Sequence, residues 1–347
     1  MKSSNIGGQA VMEGIMMRHQ DQYSIAVRKP DKEIEVKIED YKSFIKNKKI
    51  LSLPIIRGVF NFIDSLVVGT KCLMYSATFF EEEEEEIKRE KPESGRTGKI
   101  RRKTEETGKY PYDRNRNLFC DSLCRSVHGA AVSDRQPAAQ VGASETGVTL
   151  AEALVRILLF LGYLLLISKM EDIQRVFMYH GAEHKCINCV EHGKALTVEN
   201  VMESSRLHKR CGTSFLFFVI VVSIIFFLGF FAVVPVHTMW LRVVIRILLV
   251  PVIAGISYEI IRLAGRSENP VVCALSKPGM AMQKLTTKEP TPDMAEVAIA
   301  AVEAVFDWKA YLLENFPDAR EKIAQAEEDR MTASHRCETG EGCYADA

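Results

Sequence analysis

The chain has 347 residues, and its 45 basic side chains are matched by 45 acidic ones. That balance excludes a global basic field of the kind that gathers nucleic acid. The length would suit two ordinary domains, but apolar residues are concentrated in runs too long and too pure for soluble cores.

Residues 1–53 read as a cytoplasmic N-terminal region, because no apolar signal segment precedes the later runs. Ser24 to Arg28 and Ile34 to Ile38 alternate apolar and polar residues around "KPDKE", a Pro-Asp turn, and predict a β-hairpin. Ahead of them, "GGQAVMEGIMMR" (7–18) lacks the lysine and spacing of a phosphate loop. It reads either as a tight turn packed against membrane-proximal helices or as a cap over the metal site considered below. Glu13 and Arg18 either face that site or pair with each other.

Residues 54–80 predict an amphipathic or membrane-associated helix. Arg57, Asn61, Asp64 and Lys71 fall on one face, and Ile56, Val59, Ile63 and Leu66 on the other. Such a helix lies in the bilayer interface or lines a helix bundle. Residues 81–149 open with the acidic run Glu81 to Glu86. From 95 to 148 they are rich in Arg, Ser, Ala and Cys without a helical or strand period. This stretch reads as out-of-frame translation of an apolar region, or as a disordered linker.

Transmembrane helices are predicted at 150–167, 215–234 and 243–263. The second, "FLFFVIVVSIIFFLGFFAVV", is twenty residues without a charge, the length needed to cross a bilayer core. Lys169 to Ser214 holds seven Lys or Arg and the connector Pro235 to Arg242 one. Positive charge stays in the cytoplasm, so the 168–214 loop and both termini are expected there. An even number of crossings must then precede residue 168, and 150–167 supplies one. The partner span is due either within 95–148, if its frame is wrong, or as Ile55 to Phe80. The tail, 264–347, contains "TPDMAEVAIAAVEAVFDW", with Thr291 as N-cap and Pro292 at the first helical position.

Nine cysteines form no secreted disulfide framework, and reduced thiols in a cytoplasmic loop are available to metals. "YHGAEHKCINCVEHGKAL" (179–196) places His180, Glu183 and His184 at i, i+3 and i+4, on one helix face. H-x-x-E-H is the inverse of the zinc-protease helix motif: two histidines hold zinc and the glutamate takes a proton from water. "LHKRCGTSF" then returns His208 and Cys211, donors that suit zinc. A rival set, Cys186, Cys189, His208 and Cys211, would make a closed structural knuckle. Alternatively, Cys186 and Cys189 are small buried residues. Glu191 is a further oxygen ligand or solvated, and His192 is expected to be exposed.

Several segments resemble the YqhQ-like family of bacterial membrane proteins, a family of unassigned function labelled as predicted metal-dependent enzymes. They are "GGQAVMEGIMMR", "LPIIRGVFNFIDSL" (53–66), "ISKMEDIQRVFMYHGAEHK" (167–185), "LTVENV" (196–201), "RCGTSF" (210–215), "EIIRLAGR" (259–266) and "QKLTTKEP" (283–290). The resemblance implies an inner-membrane protein whose site is formed by "HGAEH" and "RCGTSF". It also implies a hydrophobic hairpin near 90–148. Cysteine is not regular at 186 and 189 in that family, which favours His180, His184 and Cys211.

The expected fold is mainly α: a polytopic helical membrane protein with a small cytoplasmic N-terminal β-hairpin region and a cytoplasmic metal-site loop. The expected activity is metal-dependent hydrolysis. Zinc would be held by His180, His184 and Cys211 with His208 nearby, and Glu183 would be the general base. The lipid bilayer is the expected partner. The alternatives are a scaffold or assembly factor with a structural zinc, and a transporter using the charges of Arg246 and Glu259.

Overall fold

Residues 7–40 fold because two tight turns and one longer one let alternating side chains cover both faces of a sheet. The structure, a computed structural model, describes residues 2–42, 53–90, 145–234, 236, 238–267 and 269–339. The expectation of a frame error or linker over 95–148 falls almost wholly outside them. Strands β1 (Gly7–Val11), β2 (Gly14–His19), β3 (Gln22–Arg28) and β4 (Ile34–Asp40) form one antiparallel sheet in that order. The register sets Gly8 opposite Met17, Met17 opposite Ser24 and Ser24 opposite Ile38. The β3–β4 pair is the predicted hairpin. "GGQAVMEGIMMR" is a second one, not a lone turn, and its turn holds Glu13 at φ 46°. Ile15, Met17 and Ala26 face one apolar cluster, whereas Met16, Tyr23, Ile25 and Val27 face the other.

The helices are α1 (Ile56–Glu90), α2 (Glu145–Ile167), α3 (Glu171–Glu191), α4 (Val198–Glu203) and α5 (Gly212–Val233). They continue with α6 (Met239–Arg266), α7 (Pro270–Thr286), α8 (Pro292–Glu303), α9 (Trp308–Asn315) and α10 (Ala319–Thr339). The chain divides into two units: residues 1–83, 164–222 and 251–347, and residues 84–163 and 223–250.

In the first unit one sheet face packs on α3 and α8, and the other on α1. Helix α8 is the centre of the core: Met294, Ala295, Val297, Ala298, Ala301 and Val302 are essentially inaccessible. Burying each larger apolar chain contributes about 1.5–3 kcal/mol. Residues 282–326 of the expected tail therefore belong to the folded core. Likewise, most of 168–214 is helical, in α3 and α4, not a loop.

Helix α1 has the predicted segregation of faces: Arg57, Asn61 and Asp64 point inward, whereas Lys71 stays exposed. Arg57 pairs with Glu259, Asn61 Nδ2 donates to Tyr258 Oη at 2.8 Å, and Tyr41 Oη donates to Asp64 at 2.6 Å. Val68, Cys72, Tyr75 and Phe79 line the sheet. The remaining apolar face is exposed at Ile56, Phe62, Ile63, Leu66, Val67, Leu73 and Met74.

Gly212–Phe231 in α5 and Trp240–Gly265 in α6 are long and apolar enough to cross a membrane, at 20 and 26 residues. Ala153–Ile167 of α2 reaches that length only if joined to α3 across a 98° bend. In the second unit, Arg242 Nε donates to the Val236 carbonyl at 2.5 Å. Arg246 lies over the Phe227 and Phe231 rings, 5.8 Å from each centroid.

Candidate metal centre

The site is built on α3, whose second half, from Tyr179 to Glu191, is enclosed by the protein except at His180. The spacing of "HGAEH" puts His180 and His184 on one face with ring centroids 4.4 Å apart. His180 Nδ1 lies 2.9 Å from the Thr286 carbonyl, and His184 Nδ1 lies 2.6 Å from the Arg206 carbonyl. A carbonyl only accepts, so both Nδ1 atoms carry the proton and both Nε2 atoms keep a lone pair. One ring nitrogen of each histidine and Cys211 Sγ lie within 4.8 Å of one another, and His180 Nε2 is 3.2 Å from the sulfur. Cys211 sits where α5 begins, and the Thr213 backbone N–H donates to its sulfur at 3.4 Å.

Two glycines let backbone reach this face. At Gly181, between the two histidine positions, a β-carbon would fall 2.0 Å from the Lys288 carbonyl oxygen. Without one, the 286–290 segment lies on α3 and brings the Thr286 carbonyl to His180. At Gly8 a β-carbon would fall 2.6 Å from Glu183 Cγ. "GGQAVMEGIMMR" thus covers the glutamate, one of the two expectations for it. Its acidic and basic residues do not pair with each other: Glu13 pairs with Arg175, and Arg18 stacks over the Tyr41 ring.

Glu183 Oε2 is 3.8 Å from His180 Nε2 and 3.9 Å from His184 Nε2. Burial, only partly offset by the charge His180 can carry, pushes its carboxyl up to about 7.

His208 stands outside the converging donors. Gln283 clamps its backbone, accepting from His208 N–H at 2.9 Å and donating to the His208 carbonyl at 2.7 Å. That turns the ring toward Glu191, whose Oε2 is 3.5 Å from His208 Nε2, and leaves its centroid 5.7 Å from that of His184. Glu191 is fully buried, not solvated. It accepts from the Ser4 N–H and hydroxyl at 2.8 Å each and pairs with Arg210. Burial alone would raise its carboxyl, but the His208 ring beside it and the Arg210 charge outweigh it and hold it at about 2. His208 is lowered to about 4, chiefly by desolvation.

Cys186 and Cys189 face the apolar core, and burial pushes both thiols up, that of Cys189 to about 12. The rival knuckle is therefore not assembled. Among the described residues, the converging donor group is His180, His184 and Cys211. His192 caps α3 and is exposed, as expected.

Sequence reasoning missed the supports. Lys185 Nζ donates to the Met202 carbonyl at 2.6 Å, and Asn188 Nδ2 to those of Ser205 and Leu207 at 2.6 and 3.0 Å. Together they hold the loop that presents Arg206 to His184. Gln283, which also donates to Ser214 Oγ at 2.8 Å, was visible only as a letter in "QKLTTKEP".

Fold and site together define a class: a mainly helical protein with two helices apolar and long enough to cross a membrane, and a largely buried His-His-Cys group that could hold a metal ion. The chain belongs to the family described as "Protein of unknown function (DUF1385)", whose model matches residues 53–308. It is 34% identical over 314 residues to "Uncharacterized protein YqhQ" of Bacillus subtilis (strain 168), covering 89% of this chain and 94% of that one. The YqhQ-like resemblance is thereby established. No solved structure matches the chain significantly.

Proposed function

We propose that this is an integral membrane protein of the bacterial inner membrane that binds zinc at the cytoplasmic surface and uses it in hydrolysis. The observation that carries the reading is the orientation of the two imidazoles. Each is held by a carbonyl at Nδ1, which leaves its Nε2 lone pair for a metal, and one nitrogen of each ring lies within 4.8 Å of the other and of a thiol sulfur. Two imidazoles and one thiolate match zinc's preference for nitrogen and sulfur, and three protein ligands leave a position for a water or substrate. His180, His184 and Cys211 would hold the ion, which would polarise a substrate carbonyl or phosphoryl oxygen and acidify water.

Glu183 would take the proton from the attacking water and return it to the leaving group, a role suited to a carboxyl poised near neutrality. His208 and Glu191 orient the segment that ends in Cys211. Support for the orientation comes from the seven Lys or Arg between 169 and 214 against one in the 235–242 connector.

The test is metal content and turnover of the purified full chain, with a panel of ester, peptide and phosphoester substrates. Wild type should carry about one equivalent of zinc, lost in His180→Ala and Cys211→Ala. Glu183→Gln should keep the metal and lose hydrolysis. No metal in wild type from metal-replete membranes would overturn the site. Metal retained with no effect of Glu183→Gln on any measured activity or cellular phenotype would leave a structural zinc in a scaffold protein.

A further inference from the structure

Two helices of the first unit, α1 and α7, carry apolar faces that stay largely exposed among the described residues. On α1 the outward arc holds Ile56, Phe62, Ile63, Leu66, Val67, Leu73 and Met74, interrupted by Thr70 alone; Leu66 and Met74 are 54% and 67% exposed. On α7, Ser276, Gly279, Met282, Gln283 and Thr286 are buried, whereas Val271 and Leu275 are 67% and 64% exposed. Ala274, Pro278 and Ala281 extend that outer face. For a helix in water this arrangement is inverted, because α1 spends its polar residues on internal partners and turns leucine and methionine outward.

We infer that α1 and α7 lie along the bilayer surface, with their outward arcs in the boundary between headgroups and acyl chains. The inference rests on the reading that α5 and α6 cross the membrane.

Three observations favour lipid over a protein occupant. The arcs are continuous with the candidate spans: Phe62 of α1 packs against Phe215 at the start of α5, with ring centroids 5.1 Å apart, and Arg57 pairs with Glu259 of α6. Helix α7 is bonded to the first turn of α5 through Gln283 and Ser214. Both arcs also have lysines at their margin, Lys71 on α1 and Lys277 and Lys284 on α7, all exposed. An apolar stripe with a lysine border is what an interfacial helix presents, since the lysine stems lie along acyl chains while the ammonium groups reach anionic headgroups. Finally, each helix continues into the enclosed part of the unit: Cys72 and Tyr75 of α1 pack on the sheet, and Thr286 of α7 reaches His180. Neither is an isolated span. The His-His-Cys group would therefore sit at the headgroup level, where a lipid headgroup or the membrane-proximal part of an anchored substrate reaches it.

The experiment uses tryptophan reporters in the full chain, in a Trp240→Phe background, reconstituted into vesicles of phosphatidylcholine and phosphatidylglycerol. Trp308 is buried, and its emission in the parent is subtracted. Leu66→Trp, Met74→Trp and Leu275→Trp are read against Ile225→Trp, an exposed position within the α5 span. Lipids brominated near the glycerol end should quench the first three most, and lipids brominated near the chain terminus should quench Ile225→Trp most. If Ile225→Trp is quenched but the α1 and α7 reporters are not, the inference is overturned. Quenching of those reporters by aqueous iodide would then mean open solvent. Protection from both quenchers would mean a protein partner or a second copy. If Ile225→Trp itself escapes lipid quenching, the membrane-spanning reading fails, and the inference with it.

Discussion

Gly8 lies so close over Glu183 that a β-carbon at position 8 would fall 2.6 Å from both Cγ and Oε1 of the glutamate. Strand β1 is therefore the wall against which the buried carboxyl rests. Gly8→Ala must push Glu183 or the strand aside, an overpacking that costs about 1–3 kcal/mol. The expected outcome is a lower thermal midpoint together with weaker zinc retention during dialysis against a mild chelator. If zinc retention equals that of wild type, the strand does not set the geometry of the site.

The second expectation concerns pH. Glu183 has its carboxyl raised by burial from 4.5 to about 7. A raised folded value means stability that is fully present below 4.5 and lost as pH rises through about 7. In metal-stripped protein, Glu183→Gln should remove that loss and be more stable than wild type at pH 8, by up to about 3 kcal/mol. At pH 4.5 the two should be alike. Loading zinc should narrow the difference at pH 8, because a cation favours the ionised carboxylate. Equal midpoints for the two stripped proteins at pH 8 would show that the carboxylate finds solvation the burial does not suggest.

Much of this was legible before any coordinates. His180, Glu183 and His184 could be placed on one face because the helical period is strict. Cys211 could be added because zinc's donors are few. The two long apolar helices followed from length and hydropathy, with α5 uncharged and α6 tolerating a few charges. What was hidden is the company these residues keep. The β1–β2 hairpin escaped because both its faces are covered, so apolar residues run on without the polar alternation that marks a half-exposed strand. The two faces of α1 were legible, but periodicity does not say which one meets protein. The start of helix α8 was legible at Thr291 and Pro292, but nothing in its composition places it at the centre of the core. His208 and Glu191 were judged as ligand and solvated side chain from their residue types, whereas a fold-level contact with Gln283 and Ser4 decides their roles.

Gln283 provides the third prediction. Its side chain makes three buried hydrogen bonds, two to the His208 backbone and one to Ser214, and so joins α7 to the segment that ends in Cys211. Gln283→Leu leaves those groups unpaired, at about 1–3 kcal/mol each for groups that water does not reach. Gln283 touches none of the three proposed ligands by any of these bonds. Zinc affinity should nevertheless fall by about 10–100-fold, as for other residues that orient a ligand from behind. Competition with a calibrated chelator measures it, and an unchanged affinity would detach the 204–211 segment from metal binding.

The last prediction follows from the buried charges at the end of α3. Glu191 is inaccessible, and its two oxygens meet Ser4, Arg210 and His208. Arg210→Ala leaves the carboxylate buried without its counter-ion, which costs about 3–5 kcal/mol. The double variant Arg210→Ala, Glu191→Gln should recover much of that loss, because the uncompensated charge is gone. Acid acts on the same cluster in two stages. His208 is lowered from 6.5 to about 4 chiefly by desolvation, so the unfolded chain takes up its proton first, and stability falls as pH drops from about 6.5 toward 4. Glu191 is held at about 2 against an ordinary 4.5, so its contribution is present above 4.5 and is lost as pH falls through about 2. Between pH 7 and pH 5 Glu183 titrates in the opposite sense to His208, so the effect is read in a metal-stripped Glu183→Gln background. That protein should lose thermal midpoint between pH 7 and pH 5, and adding His208→Asn should lessen that loss. Stripping the metal matters, because acid would also release an ion held by His180 and His184. A double variant that declines as steeply as Glu183→Gln alone would place the acid sensitivity elsewhere in the fold.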